Sequence, residues 1–504
     1  MRKLFFLLLV LFNCTLNAQS KYDYNWILNN DTIDDYILMN WNNQQPNISI
    51  IHSSSWLSVW DNNASISDKD GNFKFFSNGC VIAGKNLFTL PNGNNINPGY
   101  VHNGYCGSVA GGNTYPAFNN QVFLPKPEDS THYLLFHTNR SGSSDSNSVT
   151  YPFVWLLYSE IDSKIGANGA VIKKNIQLGP RDSLSQIGPI ACKHSNGVDW
   201  WVIVPTLYNH SFYRALLTKK GAEFVGRQVL NSPGQRHPED WAGQGVFSPD
   251  GRKYIRTDPQ NGTFIYDFDR CTGLMSNPVF IDTVVIAGCS GVSVSPNSKY
   301  LYISNSYVLH QFDLTSADIP ASKIKIAFLD TAYTTANGFY VNFYKSLLAP
   351  DGKIYVGSTR AVDLLNVIHH PDEKGLACDF RQHDLQLLKD YDTGLPNMPH
   401  FRMPAQEGVI CPPVVASQER FDQQFIRVYP NPTKGNIILE NFALPDDNCT
   451  WYLLDIQGKE VFSIALNSNK IAVDLPSNLI GGIYFWKVVD AEKSLQQGKL
   501  ILLE

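Results

Sequence analysis

Gly245-Val246-Phe247-Ser248-Pro249-Asp250-Gly251-Arg252-Lys253-Tyr254-Ile255 returns in altered form further along the chain. A second copy is Gly291-Val292-Ser293-Val294-Ser295-Pro296-Asn297-Ser298-Lys299-Tyr300-Leu301-Tyr302-Ile303, and a third is Leu348-Ala349-Pro350-Asp351-Gly352-Lys353-Ile354-Tyr355-Val356. In each, an apolar run ends at Ser-Pro or Ala-Pro, where the proline ring sets φ for a turn. Asp-Gly or Asn-Ser then makes the tight corner, and an aromatic-rich run returns, which is the pattern of a β-hairpin. A further strand follows at a constant offset, Phe264 to Asp269 after the first copy and Leu309 to Leu314 after the second. The prolines stand 296 − 249 = 47 and 350 − 296 = 54 residues apart.

Strand, hairpin and strand at intervals of about 50 residues are the signature of a β-propeller, in which each four-stranded sheet is one blade. Weaker copies come earlier. Asp70-Gly71 leads into Phe73-Lys74-Phe75-Phe76, His132 to Phe136 pairs with Val154 to Tyr158, and Asn196-Gly197 turns into Trp200 to Val204. The span from Lys21 to Ile410 is 410 − 20 = 390 residues, enough for seven or eight blades of about 50. The expected fold is all-β, a propeller of seven blades with six or eight left open. Strands near Tyr22 to Trp60 are expected to help close the last blade, since closure removes exposed sheet edges. The Asn- and Gly-rich loop Asn92 to Asn113 is expected to cover one propeller face.

The last eighty residues have another character. Val428-Tyr429-Pro430-Asn431-Pro432-Thr433-Lys434-Gly435 is followed by Leu454-Asp455-Ile456-Gln457-Gly458-Lys459 and by Gly481-Gly482-Ile483-Tyr484-Phe485-Trp486. This series resembles the type A C-terminal sorting domain of the type IX secretion system, motif by motif and in order. The matching positions are Tyr429, Pro430, Asn431, Pro432, Gly435, Asp455, Gly458, Gly482 and Tyr484. The resemblance implies a partner in the type IX machinery, passage through the periplasm to the outer surface or the medium, and removal of the tail afterwards. Members commonly end in basic residues, whereas this chain ends Leu500-Ile501-Leu502-Leu503-Glu504. The preceding region also resembles exported propellers of the WD40/YVTN type that carry the same tail, through Ser65-Ile66-Ser67-Asp68, Asp267-Phe268-Asp269-Arg270-Cys271-Thr272-Gly273 and Leu395-Pro396-Asn397-Met398-Pro399. That group brings no activity with it.

The N-terminus agrees with export. Met1-Arg2-Lys3, an apolar run from Leu4 to Phe12 and Leu16-Asn17-Ala18 before Gln19 form a signal peptide cut between Ala18 and Gln19. The run is too short to span a bilayer, and no second long apolar run or transmembrane segment is expected. The expected organisation is therefore a signal peptide at 1–18, a propeller at 19–410, a proline-led linker at 411–424 and a small Ig-like β-sandwich sorting domain at 425–504.

Without the signal the charge is 38 − 45 = −7, which argues against a nucleic-acid partner. Loss of Cys14 leaves eight cysteines. An even number in an exported chain permits disulfides. Close spacing suggests Cys80 with Cys106, Cys271 with Cys289 and Cys378 with Cys411. No CxxC or His-rich cluster occurs, so neither a metal nor a cofactor is expected. Asp68-Lys69-Asp70-Gly71-Asn72 reads as a turn and not as a calcium loop, which would need a later Glu. No nucleophile elbow, HExxH or phosphate-binding Gly loop is present, so no catalytic residue is assigned.

The best candidate for a functional surface is Arg236-His237-Pro238-Glu239-Asp240-Trp241, which joins cation, imidazole, acids and indole in one loop. Tyr100, Asn103 and Tyr105 are a second set, able to stack on sugars or pack against protein. The function expected is a secreted or cell-surface propeller that binds an extracellular protein or glycan without catalysis. The alternative is an extracellular hydrolase or lyase acting on a polymer, with titratable groups converging in one pocket.

Overall fold

The computed structural model describes residues 20–29, 34–43, 45–55, 57–107, 113–140, 153–207, 211–230, 242–283, 288–414, 426–441, 449–466, 470–490 and 493–503. The chain forms two compact units, one running to Leu178 and from Leu184 to Val414, the other made of Gly179–Ser183 and the residues beyond Val414.

Seven antiparallel sheets follow one another in the first unit. β1 (Asn25–Leu28), β2 (Asp34–Asn40) and β3 (Asn47–Ser53) belong to the blade that closes the ring. Blade 1 is β4 (Ala64–Ser67), β5 (Phe73–Ser77) and β6 (Ile82–Ala83), followed by a short helix, α1 (Tyr100–Tyr105). Blade 2 is β7 (Gln121–Pro125), β8 (His132–Arg140), β9 (Phe153–Asp162) and β10 (Ala170–Leu178). Blade 3 is β11 (Ile190–Lys193), β12 (Trp200–Pro205), β13 (Ser211–Thr218) and β14 (Gly221–Val229). Blade 4 is β15 (Gln244–Phe247), β16 (Lys253–Asp258), β17 (Gly262–Asp269) and β18 (Leu274–Ile281). Blade 5 is β19 (Ser290–Val294), β20 (Tyr300–Asn305), β21 (Val308–Asp313) and β22 (Ile324–Phe328). Blade 6 is β23 (Ser346–Leu348), β24 (Ile354–Val356), β25 (Val362–Ile368) and β26 (Phe380–Tyr391).

The sequence pattern follows from position. Inner and middle strands such as β12 are apolar without a break, because both faces of a blade pack against neighbours. Outer strands such as β18 mix exposed and buried residues. Pro249, Pro296 and Pro350 occupy the same corner of three consecutive blades, between first and second strand. There Gly251 donates to Ser248 O (2.8 Å), Ser298 to Ser295 O (2.8 Å) and Gly352 to Ala349 O (3.0 Å). The serine of Ser-Pro has a purpose of its own. Ser248 Oγ accepts from Lys253 N–H (3.0 Å), and Ser295 Oγ accepts from Tyr300 N–H (2.8 Å), so the hydroxyl satisfies the returning strand. Gly71 and Gly197 close corresponding corners of blades 1 and 3. These corners lie on one face of the ring, the corner face. Inter-blade connections and the turns between second and third strands lie on the other, the loop face.

The ring closes by joining the two ends of the unit. After β26 the chain returns along β1 on the channel side, taking the inner position that β1 to β3 leave empty. Asp392 N–H donates to Asn29 O (3.0 Å), Asn397 N–H donates to Asn63 O (2.9 Å), and the Asn63 amide bridges Ile27 O and Gly394 O. The N-terminal strands thus close the ring, with the return segment beside them in place of a hydrogen-bonded ladder. Face to face with blade 6, Trp26 and Trp41 pack on each other (4.3 Å between centroids) and on Tyr355 (5.9 and 5.8 Å).

The return segment then emerges on the corner face. His400 bonds to Phe247 O (3.0 Å), Arg270 donates to Pro404 O (2.6 Å), and Ser195 Oγ donates to Gln406 (2.5 Å). Gly251, at φ +72°, lies under it, and a Cβ there would meet Met403 Sδ at 2.6 Å. The segment ends at a disulfide between Cys411 and Cys271 (Cα to Cα 5.1 Å). The second disulfide joins Cys80 to Cys106. The expected pairs Cys271 with Cys289 and Cys378 with Cys411 do not form, and Cys289 and Cys378 are free. Cys271 sits on the corner face and Cys289 enters β19 from the loop face, so the whole of β18 separates them, about 25 Å at the rise of a strand. Cys378 is buried beneath blades 5 and 6, packed in the cluster that holds Tyr302.

Part of the Asn-rich loop has a structural role of its own. Residues 90–96 run beside β6 as an irregular fourth strand, with Leu90 N–H to Ile82 O, Ile82 N–H to Gly93 O and Ile96 N–H to Cys80 O. Asn175 of β10 holds the same loop through Asn95 O and Asn97 N–H. Residues 90–96 complete the rim between blades 1 and 2, and residues 108–112 of the loop lie outside the described residues.

The second unit is a β-sandwich. β27 (Ile426–Tyr429), β28 (Asn436–Asn441) and β31 (Lys470–Asp474) form one sheet. β29 (Thr450–Leu454), β30 (Glu460–Ala465), β32 (Gly482–Asp490) and β33 (Lys493–Leu502) form the other. Leu439, Trp451, Trp486 and Val488 fill the space between them. Asn431 donates to Lys499 O (2.7 Å) and accepts from Ile501 N–H (3.0 Å), so the Tyr-Pro-Asn-Pro turn is read by the last strand. Asp455 accepts two turn N–H groups, and Gly458 supplies the φ of +80°.

Candidate functional site

The channel lies where polar groups of several blades converge, and some of them tie the blades together. Gln244 donates to Ser346 O (2.7 Å) and accepts from Ser346 and Val292 N–H (3.0 Å each), tying blades 4, 5 and 6. Asn397 of the return segment donates to Asn119, Gln121 and Pro189 carbonyls at 2.9–3.2 Å, tying blades 2 and 3. What remains between the return segment and blades 3 to 6 is a cavity of about 20 Å³ lined by Gln244, Ser293, Ser346 and Asn397. A cavity of that size holds one water.

At the loop-face end, Lys345 stands immediately before β23 with its ammonium 3.0 Å from Asp61 Oδ1. It also donates to Asp61 O (2.9 Å) and Asn119 Oδ1 (3.1 Å). Both side chains are buried. Burial pushes the Lys345 ammonium down and the Asp61 carboxyl up, each opposed by the other charge. Tyr344 is raised well above its ordinary value by burial, and burial pushes the half-buried Cys289 thiol up to about 11. Perturbed groups so close together are the usual mark of chemistry. Here, however, Lys345 is held by the fold itself, paired with the Asp61 carboxylate and donating to Asp61 O and Asn119 Oδ1. This cluster is a tie across the channel.

Further out on the loop face the side chains are free. The connection 329–345 from blade 5 to blade 6 begins and ends on the same turn: Leu329 N–H donates to Tyr307 O (2.7 Å) and Phe343 N–H to Ser306 O (3.2 Å). Asn342 accepts from Ser358 Oγ and Thr359 N–H and donates to Thr359 Oγ1, all at 2.7–2.8 Å, which fixes the neighbouring turn of blade 6. Held this way, Tyr307, Phe339 and Tyr340 are 56%, 38% and 44% exposed. The guanidinium of Arg360 lies over the Phe339 ring at 5.8 Å. Trp60, also exposed, precedes Asp61 at the channel mouth.

The two sets named from sequence fare differently. Tyr100, Asn103 and Tyr105 are exposed on α1, a six-residue helix tethered by the Cys80 to Cys106 disulfide at the rim of blade 1. Arg236, His237, Glu239, Asp240 and Trp241 lie outside the described residues, as do Ala18 and Gln19. Asp68-Lys69-Asp70-Gly71-Asn72 is a turn in which Asp68 accepts from the Asp70 and Asn72 backbone. Among the described residues, no three His, Cys, Asp or Glu converge as metal ligands do. None of their helices is long and apolar enough to cross a membrane.

The surface around Phe339 was open to sequence reasoning but overlooked. Its signal is the longer interval between Pro296 and Pro350, 54 residues against 47. That interval contains the 329–345 connection, long for a propeller and rich in Tyr and Phe.

The fold thus defines a class, a seven-bladed β-propeller, in a chain that also carries a β-sandwich. Residues 427–503 match the secretion system C-terminal sorting domain family. The chain thus carries a type IX secretion sorting domain and is exported to the cell surface or the medium. Three solved structures are similar over much of the chain. The periplasmic gluconolactonase PpgL of Pseudomonas aeruginosa is 10% identical, over 74% of this chain and 97% of that one, at a TM-score of 0.40. PorZ, a surface component of the type IX secretion system of Porphyromonas gingivalis, is 11% identical over 96% and 74%, at 0.30. Sqt1 of Saccharomyces cerevisiae is 10% identical over 73% and 82%, at 0.28. Likeness at this level carries nothing about activity or ligand. No curated protein matches the chain significantly.

Proposed function

We propose that this exported propeller is a binding protein that recognises an extracellular protein or glycan through its loop face. The observation that carries this reading is the contrast at the channel mouth. Lys345 and Asp61 are held by each other and by the fold, whereas Tyr307, Phe339 and Tyr340 hold their rings in solvent. Exposed aromatics on a fixed frame suit recognition, since they give contact area with little loss of side-chain freedom. The segment Arg236 to Trp241 stands between blades 3 and 4 in the sequence, outside the described residues, and is proposed as a further binding element.

Screening the exported protein on glycan and protein arrays tests the reading. Hits are expected, and Phe339→Ala or Tyr307→Ala weakens them while melting is unchanged. Turnover of a polymer that disappears in His237→Ala or Glu239→Gln would overturn the binding reading in favour of a hydrolase or lyase.

A further inference from the structure

Arg360 is an exposed guanidinium, and no carboxylate among the described residues pairs with it. Arg381 and Arg402, by contrast, lie against Asp379 (2.7 Å) and Asp23 (2.5 Å). The Arg360 backbone is fixed by the turn that Asn342 holds, and its side chain rests on Phe339, so the cation stays on an aromatic platform at the mouth of the ring. A cation lying on a ring keeps its outward N–H groups free to take a carboxylate in the bidentate way.

The neighbours define the rest of the ligand. Phe339, Tyr340 and Tyr307 are exposed as separate rings, with the amide of Asn342 and the hydroxyl of Thr359 tied together between the segments. No exposed Leu, Ile, Met or Val accompanies them in 329–345 or 358–360. A protein-binding patch would have an apolar centre built partly from such residues. Separate flat rings beside an outward guanidinium match the C–H faces of sugars that also carry a carboxylate.

We infer that this surface takes an acidic glycan: a uronate residue places its carboxylate on Arg360, and adjoining pyranose rings stack on Phe339, Tyr340 and Tyr307. The inference rests on the binding reading above and narrows its ligand. Because the chain as a whole is acidic, with a net charge of −5, general attraction for a polyanion does not supply the binding. The contact is local.

The exported protein is passed over immobilised polygalacturonate, neutral dextran and poly-glutamate. Retention is expected on polygalacturonate and not on dextran. Affinity should fall at least about tenfold in Arg360→Gln, the loss of one charge-assisted bidentate contact, and likewise in Phe339→Ala, with melting of both variants unchanged. Equal retention of wild type and Arg360→Gln overturns the inference, as does absence of retention on polygalacturonate. Preference for poly-glutamate assigns the surface to acidic protein and overturns the glycan. Dextran binding that depends on Phe339 but not Arg360 overturns the acidic ligand and leaves the broader binding reading standing. Arrays without a single hit sink both.

Discussion

The channel and the rim of blades 5 and 6 use similar residues in opposite ways. In the channel, Lys345, Asn397 and Gln244 point inward and each donor meets an acceptor of another blade. On the rim, Arg360, Phe339 and Tyr340 sit on equally well-fixed backbone and point at water. The channel groups hold the ring together. The rim groups could be lost without disturbing it, and residues that folding does not need are the ones left for recognition.

The strongest way to break this comparison is at Lys345. Lys345→Ala strands Asp61 in a buried site, and removing one partner of such a pair costs about 3–5 kcal/mol. Urea unfolding should show a loss of that order, and a loss under about 1 kcal/mol would mean that the channel is not held there. Next comes the clasp on the corner face. Cys271→Ser with Cys411→Ser opens a loop of 140 residues, and about 2–4 kcal/mol is expected from a lower melting temperature in oxidising buffer. The double variant should be indifferent to reductant at that site, whereas the parent should not.

Acid gives a third test. His137 is fully buried between Asn97 Oδ1 (2.6 Å) and Ser159 Oγ (3.2 Å), and burial pushes its pKa down to about 3. An unfolded histidine titrates near about 6.5. Between those values the unfolded chain holds the extra proton, so stability falls as pH drops below about 6.5, by about 2 kcal/mol at pH 5 for this group. His400, pushed down to about 4, acts in the same direction. Denaturant midpoints measured from pH 7 to 5 should decline, and His137→Gln should flatten the slope. The smallest effect sharpens the contrast. Phe339→Ala and Tyr340→Ala should change stability by less than about 0.5 kcal/mol, and a larger loss in calorimetry would move those rings from the recognition side to the structural side.

The corners at Pro249, Pro296 and Pro350 were legible because a turn is local: serine, proline and aspartate each act within five residues. The Tyr429 to Pro432 turn was legible for the same reason. The partner of Cys411 was not, because the return segment passes Cys271 only after the whole ring has formed. The fixed exposure of Phe339 depends on Asn342 reaching the blade 6 turn, and no spacing in the sequence reports that. The strand-like run of residues 90–96 was hidden for a related reason. Blade 1 lacks a regular fourth strand, and the loop fills that vacancy at the rim.

The return segment also sets a timetable. The inner position beside β1 is filled by residues that emerge about 365 positions later, 392 − 28 = 364 from the end of that strand. Until blade 6 is made, Trp26 and Trp41 also have no Tyr355 to cover them. Blades 2 to 5 can stack as the chain appears, but the seam forms last, and contacts so distant along a chain are slow to find one another. A nascent or truncated protein therefore presents an indole-rich sheet to its surroundings, and a mature one should open first along that same line, where hydrogen exchange will be quickest among its buried strands.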